Sequence, residues 1–177
     1  MKNTGLKRLL LLIPVFLAVA VAVRIDLSLK SVSAVEPQDI LAENADEIAV
    51  VLQKPVEGSV TSPFGKRINP ISGKEEIHVG IDIAAAEGTP IALALDGVVS
   101  EVGENRYDGN FVLVDHGDGL FTKYCHCREV FVKNGYCLRR GETVGAVGST
   151  GWATGAHLHF EILKNGKYFD PAWLLTW

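Results

Sequence analysis

The stretch Ala156-His-Leu-His-Phe-Glu-Ile162 alternates in character: Leu158, Phe160 and Ile162 are apolar, and His157, His159 and Glu161 fall between them. Successive side chains of a strand point to opposite faces, so the segment reads as a β-strand with one core face and one face carrying two imidazoles and a carboxylate. The same reading applies to Ile77-His-Val-Gly-Ile-Asp-Ile83. There Ile77, Val79, Ile81 and Ile83 share a face, which leaves His78, Gly80 and Asp82 on the other. Two strands thus each present a pair of candidate metal ligands.

Period-two texture extends over most of the chain. From about Gly58 short β-branched runs are punctuated by Gly, Asn and Asp, which predicts a mainly β, antiparallel domain. Asp96-Gly97 is expected to turn a hairpin between the apolar runs of "IALALDGVVSEV", and Asp115 to Gly119 a second one in "NFVLVDHGDGLFTKYCHC". "TVGAV" and "HLHFEIL" read as further strands, separated by the glycine-rich "GSTGWATG" and followed by the turn "KNGK".

Upstream, the 177-residue chain carries Lys2, Lys7 and Arg8, then an unbroken apolar run from Leu9 to Val23, closed by Arg24. Fifteen residues fit a secretory signal core of ~7–15 and fall slightly short of the ~17–25 of a spanning helix. A small-residue cleavage site stands at Val32-Ser33-Ala34, but Arg24, Asp26 and Lys30 lie before it, which favours an uncleaved membrane anchor over secretion after cleavage. In either case the positive flank stays cytoplasmic and the remainder lies outside the membrane, in a cell envelope. Residues 1–34 are therefore read as basic tip and anchor. Residues 35–55 read as an acidic stalk, with Ile40, Leu41, Ile48, Val51 and Leu52 at loosely helical spacing between Pro37 and Pro55. Residues 56–177 form the domain, of the size of one ordinary core.

The net charge of −4, with no basic run beyond the extreme N-terminus, excludes a nucleic-acid footprint. Three cysteines permit at most one bridge within one copy, and leave open whether Cys137 takes part in one.

Two imidazoles and one carboxylate, with a fourth position left to water, are the usual inventory of a catalytic zinc site, whereas structural sites are closed by four protein ligands. "KYCHCR" (Lys123–Arg128) looks at first like a separate metal knot. Strict alternation divides it: Thr122, Tyr124 and His126 share one face, and Phe121, Cys125 and Cys127 the other. His126 is then a third contributor to the site, and the cysteines are small buried hydrophobes turned away from it. Tyr124 borders the groove or stands in the core. Glu161 is either a partner of a ligating histidine or a solvated strand residue. His116, in "VDHGDG", belongs to a turn that favours Asp, Gly and His for backbone reasons. The polar loop "RINPISGKEE" just before His78 is placed to overhang the cleft.

"HVGID", "YCH" and "TGAHLHFE", in this order and ending in "DPAWLL", together with "SPFGKRINPISG" and "AAAEGTPIALALDGVV", resemble the lysostaphin-like zinc metalloendopeptidases that cut peptidoglycan peptides. The resemblance covers about Pro55 to Trp177. It implies an antiparallel sandwich or flattened barrel in which His78, Asp82 and His159 bind Zn2+. It also implies that His126 and His157 are unliganded catalytic histidines that orient the attacking water, stabilise the oxyanion or relay protons. The cysteines flanking His126 depart from the family pattern.

Two other classes compete. "GTPIALALDGVVSEV" with "VKNGYCLRRGETVGAVG" resembles the hairpins of biotinyl and lipoyl carriers, but the expected tip, "DHGDG", holds no lysine to modify. A membrane-tethered, non-catalytic scaffold or regulator of division or sporulation would share the fold. It stays the alternative although all five site residues are present, since a tethered enzyme can also wait for a protein activator.

Overall fold

The computed structural model describes residues 41, 42, 48 and 50–176. The expected anchor over residues 1–34 lies outside the described residues, as does most of the expected stalk. No helix of the described residues is long and apolar enough to cross a membrane.

Short β-branched and aromatic runs cut by glycine form strands throughout. The first half of the domain contains β1 (Leu52–Gln53), β2 (Ser59–Ser62), β3 (Gly65–Ile68), β4 (Glu75–His78), β5 (Gly80–Ala84), β6 (Pro90–Ala92) and β7 (Gly97–Asn105). The second half contains β8 (Gly109–Asp115), β9 (Leu120–Val130), β10 (Cys137–Leu138), β11 (Thr143–Val147), β12 (His157–Lys164), β13 (Lys167–Phe169) and β14 (Leu175–Thr176). A ten-stranded sheet runs in the order β10-β7-β8-β9-β12-β5-β2, with β11 pairing both β9 and β6, and β13 pairing β12. All of these pairings are antiparallel.

One face of the sheet is the core, where Ile81, Ile83, Val112, Val114, Leu158, Phe160 and Ile162 are buried together. The opposite face aligns Asp82 with His159, and Glu161 with both Gly80 and Lys123. The β5–β12 pairing is close enough that a Cβ at Gly80 would stand 2.4 Å from the Phe160 carbonyl oxygen, so only glycine fits beside the two ligand-bearing strands.

Four expectations are corrected. Asp96-Gly97 does not turn a hairpin: β6 pairs with β11 and β7 with β8, and Asp96 instead accepts the Arg140 N–H at its side chain and bonds His116 through its carbonyl. The end of the expected helical stalk is a strand, since Leu52 and Gln53 pair in parallel with Leu175 and Thr176 and Leu52 is buried in the core. "IHVGIDI" is two strands, not one: β4 pairs with β3 in a separate two-stranded sheet, and the chain turns at Val79 into β5 of the main sheet.

The fourth correction concerns β9. Phe111 alone lies opposite Cys125 and His126, so the strand carries a bulge there, and His126 takes φ 61°. Alternation therefore fails at that point. Tyr124 and Cys127 both face the core, whereas Cys125 lies opposite His159 on the ligand face. His126 reaches the site because the bulge turns it out of the core register, not because it shares a face with Tyr124.

Tyr124 is fully buried, and its hydroxyl accepts the Ala94 N–H (3.0 Å) and hydrogen-bonds with Thr122 Oγ1 (3.0 Å). Of its two sequence readings, the core one holds. Replacing Tyr124→Phe strands the buried Ala94 N–H and is expected to lower unfolding free energy by about 1–3 kcal/mol. Urea unfolding measures the loss, while zinc binding by the folded variant stays at the parent level; a stable variant with impaired substrate binding would instead place Tyr124 on the groove.

Candidate metal centre and cleft

Three side chains from two sheets converge. His78, at the end of β4, donates its Nδ1–H to the Pro63 carbonyl (2.8 Å), which leaves Nε2 as an acceptor. That Nε2 lies 3.1 Å from Asp82 Oδ1 and 3.0 Å from His159 Nδ1, and His159 Nδ1 lies 2.8 Å from Asp82 Oδ1. The three donor atoms form a near-equilateral triangle. Tetrahedral zinc with ligand bonds of about 2.0–2.1 Å spaces its donors by about 3.3 Å, so the triangle needs to open by only a few tenths of an ångström.

The electrostatics fit a dication. Burial opposes the charge on Asp82, but hydrogen bonds from His159 and His78 outweigh it and hold the carboxyl well below the usual range. Burial alone would lower His159, yet its bonds to Asp82 and Glu161 raise it to about 9. Both shifts show that the cluster favours positive charge between its carboxylates, which is what a metal ion supplies.

The remaining partners fix these groups. His159 Nε2 lies 3.0 Å from Glu161 Oε1, and Glu161 is buried, so the partner reading of this glutamate holds over the solvated one. Arg67, which sequence reasoning did not single out, places Nη1 2.9 Å from Asp82 Oδ2. The two Asp82 oxygens are thereby divided between the metal donors and a guanidinium.

His126 and His157 stand side by side, with ring centroids 4.7 Å apart. His126 donates Nδ1–H to the Thr150 carbonyl (2.8 Å), and His157 donates Nδ1–H to the Gly155 carbonyl (2.9 Å). Each keeps Nε2 for chemistry, and that of His157 lies 3.7 Å from Asp82 Oδ1. Burial, reinforced by the neighbouring His157 and His159, lowers His126 from its ordinary 6.5 to about 4 against the pull of the Thr150 carbonyl. The structure thus brings together all five residues singled out in the sequence. His116 stays outside them, bonded to the Asp96 carbonyl and to Thr122.

A second cluster, Asp108, Cys125 and Glu161, has ligand-type atoms within 4.8 Å of one another. Lys123 Nζ, 2.7 Å from Asp108 Oδ2, already supplies positive charge there. Burial and the Glu161 charge push the Cys125 thiol well up, so it stays protonated.

Asp82, His126, His157 and His159 line an open cleft of about 490 Å3, and His78 is buried behind them against Asp82 and His159. The Asn69–Lys74 loop lines it as well, in keeping with its expected overhang. Tyr107 and Trp152 line it too, stacked at 5.2 Å with 16° between planes, and Arg106 lies 5.8 and 5.6 Å from their ring centroids. Neither aromatic was singled out; their only sequence signal is an aromatic residue within a glycine- and polar-rich loop.

Fold and site together define a β-sheet domain with a three-donor metal centre and two histidines beside it. The chain belongs to peptidase family M23, whose model matches residues 76–171. It is 42% identical over 113 residues to a peptidoglycan DD-endopeptidase of Vibrio cholerae, ShyC, a match covering 63% of this chain and 26% of that one. The structure of a zinc-containing peptidase from Vibrio cholerae is similar at TM-score 0.62 and 36% identity, covering 66% of this chain and 37% of that one. The catalytic domain of lysostaphin from Staphylococcus simulans is similar at TM-score 0.60 and 29% identity, covering 65% of this chain and 90% of that one. The chain spans about a quarter of the length of the first curated relatives it matches, 26% in each case.

The lowered His126 makes a pH prediction. Its folded state refuses a proton that the unfolded chain accepts below 6.5, so its contribution to stability is complete above that pH and is lost as pH falls towards about 4. In zinc-free protein, an imidazole NMR titration is expected to place the His126 midpoint below 5. A midpoint at the ordinary value would refute the account of its burial.

Proposed function

We propose that the chain is a zinc-dependent endopeptidase that hydrolyses amide bonds in the peptide part of bacterial peptidoglycan. The observation that carries this reading is the donor triangle of His78, Asp82 and His159, with the free Nε2 atoms of His126 and His157 beside it in one cleft. Family membership and the naming of the Vibrio relative as a peptidoglycan DD-endopeptidase support it, and that name favours a DD bond as the one cut.

His78, Asp82 and His159 would hold the zinc, which would supply a water of pKa lowered from 15.7 to about 7 and polarisation of the scissile carbonyl. His126, held neutral, accepts a proton from the attacking water at Nε2. His157, on the Asp82 side, hydrogen-bonds the developing oxyanion through Nε2–H in its imidazolium form, and the proton that His126 took from the water passes to the leaving amine. Glu161 orients His159, and the Thr150 and Gly155 carbonyls fix the tautomers of the two catalytic histidines. The apolar run Leu9–Val23, flanked by basic residues, supports a membrane anchor that keeps the domain at the outer side of the cytoplasmic membrane.

Zinc content and release of peptide fragments from purified peptidoglycan test the reading. The parent is expected to carry one zinc per chain and to release fragments, and His159→Ala to lose both. His126→Ala and His157→Ala are expected to keep zinc and lose about 100-fold or more in kcat. A parent that binds zinc but cuts no cell wall, even with candidate activator proteins added, would support the scaffold reading instead.

A further inference from the structure

The metal donors do not come from one rigid element. Asp82 and His159 are cross-strand neighbours in the main sheet, but His78 is carried by the β3–β4 hairpin, which forms a sheet of its own. The hairpin is tied to the main sheet by the chain at both ends, through Val79 into β5 and through Pro63-Phe64 from β2, with Phe64 packed against the core, but it shares no strand pairing with that sheet. A polar chain adds a side-chain tie. Arg67, on β3 and directly opposite Glu76 on β4, places Nη1 2.9 Å from Asp82 Oδ2 and 2.6 Å from Ser62 Oγ, and Nε 2.7 Å from Glu76 Oε1. Glu76 Oε2 in turn accepts from Asn69 Nδ2 at 2.6 Å, and Asn69 Oδ1 accepts the N–H groups of Ile71 (2.8 Å) and Ser72 (2.7 Å) in the loop that lines the cleft.

We propose that Arg67 is a positioning residue of the metal site. Its ion pair with Asp82 docks the hairpin, and with it His78, onto the sheet that bears Asp82 and His159. It also keeps one Asp82 oxygen turned towards the metal by occupying the other.

The planar guanidinium suits this task. It reaches Asp82, Ser62 and Glu76 from two nitrogens of a rigid fork, whereas an ammonium offers its three donors from a single point. A cation beside a metal ion is repelled by it, and the Glu76 carboxylate, 2.7 Å from Arg67 Nε and held from its other side by Asn69 Nδ2, offsets that repulsion. The same chain of bonds joins the Asn69–Lys74 loop to Asp82.

The inference rests on the zinc reading of the site, and one experiment separates the two. Zinc dissociation constants, measured on the full chain by competition with a chromogenic chelator, are compared for the parent, Arg67→Met, Arg67→Lys and Glu76→Gln, alongside thermal unfolding of the zinc-free proteins. Arg67→Met is expected to weaken zinc binding about 10–100-fold. Arg67→Lys should recover part of the loss and Glu76→Gln should lose less, with zinc-free melting temperatures close to the parent's. If Arg67→Met does not fold, the graded order of Arg67→Lys and Glu76→Gln carries the test. Zinc affinity equal to the parent's in all variants would overturn the inference, as would tighter binding in Arg67→Met, which would make the guanidinium a competitor of the metal. A parent that binds no zinc would overturn the zinc reading itself.

Discussion

The antiparallel pairing of β5 with β12 sets His159 opposite Asp82, and this register is what the rest of the site is built around. Cross-strand neighbours on one face of a sheet lie close enough to share a ligand, and a slip of β12 by one residue would send His159 into the core and away from Asp82. Such a slip is opposed by Ile81, Ile83, Leu158, Phe160 and Ile162, which occupy the other face and are buried to 1% exposure or less. The hydrophobic core thus holds the ligand geometry without touching it.

Around this pair the other groups arrive by separate routes. His78 comes in on the β3–β4 hairpin, His126 on a bulge and His157 from the end of the glycine-rich loop. Backbone carbonyls of Pro63, Thr150 and Gly155 each take the Nδ1–H of one of them. A carbonyl can only accept, so all three rings are held in one tautomer with Nε2 directed at the chemistry. The protein achieves this with main chain alone, which requires the loops, not particular side chains, to be in place.

Those features that follow from period two were legible in the sequence, and those that depend on its interruption were not. Leu158, Phe160 and Ile162 against His157, His159 and Glu161 gave the orientation of β12 directly, and the antiparallel β class follows from many such runs. The fate of "KYCHCR" was misread because a bulge leaves no mark in apolar periodicity: alternation put Cys125 with Cys127, while the extra residue put Cys125 with the ligands and Cys127 in the core. Arg67 and the Tyr107–Trp152 pair escaped notice for another reason. Their roles depend on contacts between β3 and β5, and between two loops, that no local pattern encodes. The strand character of Leu52–Gln53 depends on a partner at the far end of the chain.

The left-handed backbone at His126 has a thermodynamic meaning of its own. A non-glycine residue at φ 61° costs the fold on the order of 1–3 kcal/mol where the surroundings force it, and asparagine or glycine would relieve that cost at once. The fold thus carries a local backbone cost at the one residue whose ring the bulge sets beside His157 in the cleft.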